Sequence, residues 1–162
     1  MKSLAKSLHD FKLQDAQGKK LDLAQFKGKV VLLSNIATQC GFTPQLDGLE
    51  ELHDAYKDKG LVVIGVPSND FGGQNPQNGQ ETAEFCRLNY KTEFLTTEKI
   101  NVKGKSRHQL FDYIASERPG LNVMWNFEKF IFDKDGKLVE SFRSTTKPRS
   151  KKVTSLIEKL IK

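Results

Sequence analysis

The sequence has few cysteines and histidines, and this scarcity excludes several kinds of site. Cys40 and Cys86 are its only cysteines and are far apart in the sequence. In a reducing compartment we expect such a pair to be catalytic, redox-sensing or unrelated rather than a structural disulfide. Thr43 stands where a Cys-x-x-Cys motif would need its second thiol, which argues against a disulfide oxidoreductase. We expect no metal site, because the histidines do not share metal-ligand spacing with the cysteines. They are His9, His53 and His108.

Long apolar runs are also missing. No stretch is long enough to span a membrane, and residues 1–10 alternate apolar and polar residues without the apolar core of a signal peptide. We therefore expect a soluble, cytoplasmic protein. Hydrophobic residues make up 37% of the chain and charged residues 28%, as in folded globular proteins. A chain of 162 residues can bury a sizeable core, and we expect one domain over 1–162.

The chain carries a formal net charge of +6, and basic residues are concentrated after position 146. Nucleic-acid binding needs such charge. However, no zinc-finger spacing, RNA-binding aromatic signature or helix-turn-helix pattern accompanies it. The simpler interpretation is a solvated basic surface without a nucleic-acid partner. Attraction of anionic substrates or of an acidic partner is a second hypothesis.

Hydrophobic periodicity predicts a β-α-β unit in the first half of the chain. Residues 29–37 and 61–67 are continuous apolar runs, typical of strands covered on both faces. The helix predicted between them begins with Pro44 and ends before Gly60. Its apolar side chains recur at helical spacing: Leu46, Leu49, Leu52 and Tyr56. The strand–helix–strand order predicts a right-handed parallel unit.

The flanking segments complete the predicted fold. A hairpin is predicted over residues 10–27 and a second over 127–142, with its turn at 133–136. Helices are predicted over 81–89, which includes Cys86, over 106–116 and over 153–161. This order predicts an α/β protein with a thioredoxin-like fold, in which helices flank a central mixed sheet and a β-hairpin precedes it.

Cys40 lies on the turn between the first central strand and the following helix. A sulfur just before a helix faces free backbone N–H groups and the positive end of the helix dipole. Both favour the thiolate, which is the nucleophilic form of cysteine. Alone, Cys40 could equally be a small buried apolar residue. The loop over residues 68–80 is long and rich in Gly and Asn, which is typical of a functional loop.

Three segments together resemble the glutathione peroxidase family. They are residues 35–45 (NIATQCGFTPQ), 65–74 (GVPSNDFGGQ) and 125–130 (WNFEKF). They occur in the family's order and at about its spacing, and the similarity extends over nearly the whole chain. The first segment is similar to the version of the active site that carries cysteine where animal enzymes often carry selenocysteine.

The resemblance implies an antioxidant thiol peroxidase in which Cys40 reduces hydrogen peroxide and organic hydroperoxides. Gln74, Trp125 and Asn126 would support it, because their amide and indole N–H groups donate without adding a competing charge. Without the resemblance, Trp125 would be interpreted as a core residue and Gln74 as a solvated turn residue. The family uses an external thiol reductant and implies no bound cofactor.

Cys86 resembles the resolving cysteine of the non-animal, thioredoxin-using branch. It would condense with a Cys40 sulfenic acid to a disulfide, and we expect the helix around it to unwind. An inert helical cysteine is the alternative. The segment between Cys86 and Trp125 is short, as in monomeric members, and favours thioredoxin over glutathione as reductant. Asp70 replaces the Gln common in the family; we expect it to be solvated, although pointing inward it would raise the thiol pKa.

Other functions use the same residues. A peroxide sensor would pass the oxidation of Cys40 to a client protein instead of to a small reductant. A disulfide oxidoreductase or chaperone on the same fold is disfavoured by the missing Cys-x-x-Cys motif. The sequence separates neither the sensor from the scavenger nor one peroxide from another.

Overall fold

The computed structural model describes residues 5–162, so the first four residues of the alternating segment 1–10 lie outside the described part. Seven strands are present among the described residues: β1 (Lys12–Gln14), β2 (Lys20–Asp22), β3 (Val30–Ile36), β4 (Leu61–Pro67), β5 (Leu95–Thr96), β6 (Lys129–Phe132) and β7 (Leu138–Phe142). The α-helices of the same residues are α1 (Gln45–Tyr56), α2 (Gly79–Tyr90), α3 (Gln109–Glu117) and α4 (Lys151–Ile161).

Five strands form a mixed sheet in the order β5-β4-β3-β6-β7, while β1 and β2 form a separate antiparallel hairpin. At the centre, β3 pairs parallel with β4 and antiparallel with β6. Ser34 is therefore opposite Gly65 on one side and Lys129 on the other. This arrangement confirms the predicted mixed sheet with its parallel β-α-β unit and N-terminal hairpin.

The sheet is covered on both faces, and each face has its own apolar cluster. Along β3, Val31 and Leu33 pack in the cluster that contains α3 and the β1–β2 hairpin. Val30 and Leu32 pack in the other cluster, with α1, α2 and α4. Successive strand residues point to opposite faces. The continuous apolar run of β3 therefore corresponds to a strand that is buried on both sides.

The boundaries differ from the predicted ones in small ways. Helix α1 begins at Gln45, one residue later than predicted, and Pro44 precedes it with helical dihedral angles. The two-residue strand β5 was not predicted, because two residues carry no detectable periodicity. Within residues 5–162, each α-helix has at most 12 residues and is too short to cross a lipid bilayer.

The space around Gly65 shows how tightly the side chains on the sheet are packed. A Cβ atom there would lie 2.8 Å from Cε1 of Phe94 and 3.0 Å from Cδ1 of Ile36. We expect Gly65→Ala to lower the free energy of unfolding by about 1–3 kcal/mol, because overpacking displaces neighbouring side chains. Gly41→Ala is the control, since a Cβ there meets no atom of the described residues within 4 Å. Urea unfolding would measure both, and equal stability of the two variants would contradict the prediction.

Candidate active site

Cys40 lies four residues beyond the end of β3, in a turn that runs into α1. Its side chain is nearly buried, at 8% exposure. The backbone N–H of Phe42 donates a hydrogen bond to the Cys40 Sγ at 3.3 Å. The sulfur thus accepts from a backbone N–H of the turn that precedes α1.

Thr43 braces this turn. Its Oγ1 accepts a hydrogen bond from the N–H of Cys40 at 2.9 Å and donates one to the carbonyl of Ala37 at 2.8 Å. In a Cys-x-x-Cys motif this position carries the second thiol, but here it carries a buried hydroxyl that fixes the backbone around Cys40. Sequence reasoning noted only the absence of cysteine at Thr43 and missed this role.

Gln74 is hydrogen-bonded to two other segments of the site, the turn that carries Cys40 and the turn that carries Asn126. The loop after β4 turns through Gly72 and Gly73, whose φ angles of 67° and 62° favour glycine. The carbonyl of Gln74 then accepts from the N–H of Gln39, beside Cys40, at 2.9 Å. Its side-chain Oε1 accepts from Nδ2 of Asn126, also at 2.9 Å. This leaves the Nε2 group of Gln74 available as a donor.

Asn35, near the end of β3, holds the segment that carries Trp125 and Asn126. Its Nδ2 donates to the carbonyl of Trp125 at 2.9 Å, and its Oδ1 accepts from the N–H of Glu128 at 3.1 Å. Its own carbonyl accepts from the N–H of Phe127 at 2.6 Å. Phe127 has a φ of 62°, a strained conformation for an aromatic residue. The tight turn is therefore maintained by its contacts with β3.

Glu128 fixes the other side of Trp125. Its side chain is 2% exposed, and Oε2 accepts from the N–H groups of Met124 and Trp125 at 2.7 and 3.0 Å. Oε1 pairs with Arg143 at 2.9 Å. The peptide groups on both sides of the Trp125 side chain are thus held by buried polar side chains.

Ser144 connects the start of α1 with the Asn126 turn. Its carbonyl accepts from Nε2 of Gln45 at 2.7 Å and from Nζ of Lys129 at 3.2 Å, and its hydroxyl donates to the carbonyl of Asn126. Lys129 is fully buried, and burial lowers the pKa of its amine to about 7. Nothing in the sequence pattern singles out Ser144 or Lys129, because both act through neighbouring groups.

The structure brings three of the predicted residues together with the turn that carries Cys40. Gln74 and Asn126 bond directly, and Gly72 lies against both Gln74 and Trp125, each 3.5 Å from an added Cβ. Trp125 also packs against the apolar cluster that includes Cys40. The Oδ1 of Asn126 is buried and has no hydrogen-bond partner among residues 5–162. The assembled groups are a thiol and uncharged N–H donors.

Cys86 lies in α2, where it is wholly buried within the same apolar cluster as Cys40. Both cysteines are free thiols. Burial raises the pKa of the Cys86 thiol to about 12, so it is protonated at neutral pH in this conformation. In this conformation the buried, protonated Cys86 thiol cannot act as a nucleophile.

Asp70 corrects one expectation from the sequence. Its side chain is partly buried rather than fully solvated, and Oδ2 accepts from the backbone N–H groups of Val102 and Lys103 at 2.5 and 3.3 Å. Asp70 therefore links the loop over residues 68–80 to the segment that contains Val102. A Lys103 ammonium also lies 4.8 Å from the centre of the Phe71 ring.

One group of potential metal ligands occurs among residues 5–162, in α1. It consists of Glu50, His53 and Asp54. Oε1 of Glu50 already accepts from the N–H groups of Glu93 and Phe94 at 2.7 and 3.1 Å. We therefore assign this carboxylate a structural role.

Comparison with known proteins identifies the family. The sequence profile of the family described as glutathione peroxidase matches residues 8–115. The chain belongs to the glutathione peroxidase family. It is 43% identical over 159 residues to glutathione peroxidase-like peroxiredoxin 2 of Saccharomyces cerevisiae, covering 94% of this chain and 98% of that protein. It is 41% identical over 145 residues to a glutathione peroxidase of Lactococcus lactis, covering 88% and 92%.

Solved structures agree with this assignment. The crystal structure of Trgpx in apo form is 38% identical, has a TM-score of 0.78 and aligns over 97% of both chains. A thioredoxin-family thiol:disulfide interchange protein from Chlorobium tepidum is 14% identical, with a TM-score of 0.67 over 100% and 98% of the chains. The second similarity concerns the fold alone and confirms the predicted thioredoxin-like architecture. Membership of the glutathione peroxidase family makes the chain a peroxidase-type oxidoreductase.

Glu128→Ala would test the support of Trp125. Without the carboxylate, two backbone N–H groups lose a charged acceptor, which lowers the free energy of unfolding by about 1.5–3 kcal/mol. We expect kcat/KM for peroxide to fall about tenfold to a hundredfold, because ~1 Å of misplacement can have that effect. Fluorescence of Trp125, the only tryptophan, would report its displacement.

Glu140→Ala is the matched control. Glu140 lies in β7, which pairs with the strand that follows Glu128, and it bonds to Arg118 at 2.6 Å, but both side chains are more than two-fifths exposed. Its loss should change stability by less than about 1 kcal/mol and leave the Trp125 emission unchanged. Equal effects of the two substitutions would contradict the role of Glu128.

Proposed function

We propose that this member of the glutathione peroxidase family reduces hydrogen peroxide and organic hydroperoxides with Cys40 as the nucleophile. The Cys40 thiolate attacks one peroxide oxygen, the S–O bond forms and the O–O bond breaks. Cys40 becomes a sulfenic acid, and the other oxygen leaves as water or an alcohol after it takes up a proton. The observation that carries the proposal is a sulfur fixed on a braced turn, with an N–H donor at 3.3 Å.

Gln74, Trp125 and Asn126 are proposed to stabilise the charge that moves from sulfur to the departing oxygen. Two observations support this role: Gln74 and Asn126 are hydrogen-bonded to each other, and Trp125 packs against the apolar cluster that includes Cys40. Uncharged donors fixed before the reaction need no reorganisation when charge develops. Removing one such donor typically costs about 2.7–4 kcal/mol of transition-state stabilisation.

A groove beside the Cys40 turn supports organic hydroperoxides as substrates. It has a volume of about 430 Å³ and is lined in part by Phe42, Pro44 and Pro148. Lys147 and Arg149 also line it. An apolar group can lie in such a groove, whose wall includes Gly41, the residue next to Cys40.

Cys86 is proposed to resolve the sulfenic acid, and thioredoxin is proposed to reduce the resulting disulfide, with glutathione as the alternative reductant. Because Cys86 is buried in α2, this step requires α2 to open. We further propose that the chain acts as a single monomeric domain in the cytoplasm. The two apolar clusters on opposite faces of one sheet support a single domain.

A peroxide sensor is the second candidate function. The observation that favours it is the complete burial of Cys86. A resolving thiol that is released slowly leaves the Cys40 sulfenic acid exposed to attack by a thiol of another protein. A mixed disulfide with a protein other than thioredoxin would favour this function.

Cys40→Ser and Cys86→Ser test the two thiols separately. We expect Cys40→Ser to abolish peroxide consumption, because a hydroxyl does not replace the thiolate. Cys86→Ser should consume one equivalent of peroxide and then stop with thioredoxin as reductant. Mass spectrometry of the peroxide-treated wild type should show a Cys40–Cys86 disulfide. Full turnover by Cys40→Ser would refute the proposed chemistry, and absence of the disulfide would refute the role of Cys86.

Separate assays with thioredoxin and with glutathione would identify the reductant. We expect sustained peroxide reduction with thioredoxin and thioredoxin reductase, and at least tenfold slower reduction with glutathione alone. The reason is that a protein dithiol can reduce an intramolecular disulfide through a single mixed disulfide. Faster turnover with glutathione would overturn the assignment of thioredoxin while leaving the peroxidase activity intact.

A further inference from the structure

Asn75 lies between the turn that carries Cys40 and helix α2, and it is wholly buried. Its Oδ1 accepts a hydrogen bond from the N–H of Thr38 at 3.0 Å. Its Nδ2 donates to Oγ1 of Thr82 at 3.0 Å and to the carbonyl of Gln77 at 3.2 Å. One side chain therefore bonds to the backbone two residues before Cys40 and to a side chain of α2.

Thr82 places this contact close to the second thiol. It is wholly buried, and it lies four residues before Cys86 in α2, so the two share a helix face. Its hydroxyl donates to the carbonyl of Asn78 at 2.7 Å while it accepts from Asn75. The bridge Thr38–Asn75–Thr82 thus joins the two segments that carry the cysteines.

Formation of the disulfide requires α2 to move. The Cys86 sulfur attacks the sulfenic sulfur of Cys40, an S–S bond forms, the S–O bond breaks, and the oxygen leaves as water with the thiol proton. The Cys86 sulfur must come within about 2 Å of its partner. In the structure it is enclosed in the apolar cluster, and its backbone carbonyl accepts from the N–H of Lys91.

The far end of the moving segment has its own attachment. Beyond α2, the N–H groups of Glu93 and Phe94 donate to the buried Glu50 carboxylate of α1. This attachment lies after Cys86, whereas Thr82 lies before it. The Asn75 contact therefore connects the Cys40 turn with the part of α2 that precedes Cys86. A second bond, from the Thr38 hydroxyl to Oε1 of Gln77 at 2.7 Å, reaches only the loop before α2.

We propose that Asn75 is a positioning residue that retains α2 against the Cys40 turn through Thr82 and thereby limits the rate of disulfide formation. This inference rests on the proposed function of Cys40 and Cys86. The hydrogen bond between Asn75 and Thr82 is present while α2 packs against the Cys40 turn, and it is lost when α2 moves away. Weakening it lowers the free energy needed to open α2 and accelerates the resolving step.

Thr82→Val removes the bond with little change in shape. After one equivalent of peroxide, rapid quenching with an alkylating reagent and mass spectrometry would follow the sulfenic acid and the disulfide. We expect Thr82→Val to form the disulfide about twofold to tenfold faster, as for the loss of one hydrogen bond. Less sulfinic acid should form in excess peroxide. Thr82→Ser keeps the hydroxyl and should behave as the wild type.

Thr154→Val is the matched control. In α4 the hydroxyl of Thr154 also donates to the carbonyl four residues earlier, that of Ser150, at 3.3 Å. This substitution removes the same kind of helical bond without touching the bridge, so the resolving rate should not change. Asn75→Ala removes the other side chain of the Asn75–Thr82 hydrogen bond. In the double variant with Thr82→Val it should add no further acceleration.

The inference is overturned if Thr82→Val resolves no faster than the wild type, or if Thr82→Ser or Thr154→Val accelerates as much. These outcomes leave the peroxidase chemistry untouched, because they compare rates of a disulfide that forms. If the wild type consumes peroxide but forms no disulfide between Cys40 and Cys86, the proposed role of Cys86 fails and this inference fails with it.

Discussion

The position of β3 between two hydrogen-bonded neighbours is the constraint on which the site depends. Parallel pairing with β4 and antiparallel pairing with β6 fix the carboxyl end of β3 in space. From that end the chain enters the turn with Cys40, and from the same end Asn35 holds the turn of Trp125 and Asn126. The same rigid strand therefore fixes the positions of the thiol and of two of its proposed donors.

Hydrogen bonds between loops complete what β3 begins. Gln74 bonds through its backbone to the residue before Cys40 and through its side chain to Asn126, so one residue links both loops. Glu128 and Ser144 hold the Trp125–Asn126 turn from outside the site. A site on loops gains the precision of a rigid element when buried polar groups fix those loops in this way.

The two thiols are in opposite physical situations. Cys40 lies in the turn before α1 with an N–H donor on its sulfur, whereas Cys86 is enclosed within α2 with a pKa raised by burial. A peroxidase that uses both must be rigid for the first step and must open for the second. The polar bridge through Asn75 lies where these two requirements meet.

By itself, the sequence determined the mixed sheet, the helices on its faces and the family, because hydrophobic periodicity and local motifs are read over neighbouring residues. It also predicted Gln74, Trp125 and Asn126 together, through resemblance. Only the tertiary structure decided where their partners lie. Asn75 is an ordinary loop residue in the sequence, and the Glu128 carboxylate carries no signal of what it holds. Asp70 was expected in solvent, yet it binds backbone N–H groups 32 and 33 positions away. Such hydrogen bonds join distant segments, so no local pattern can encode them.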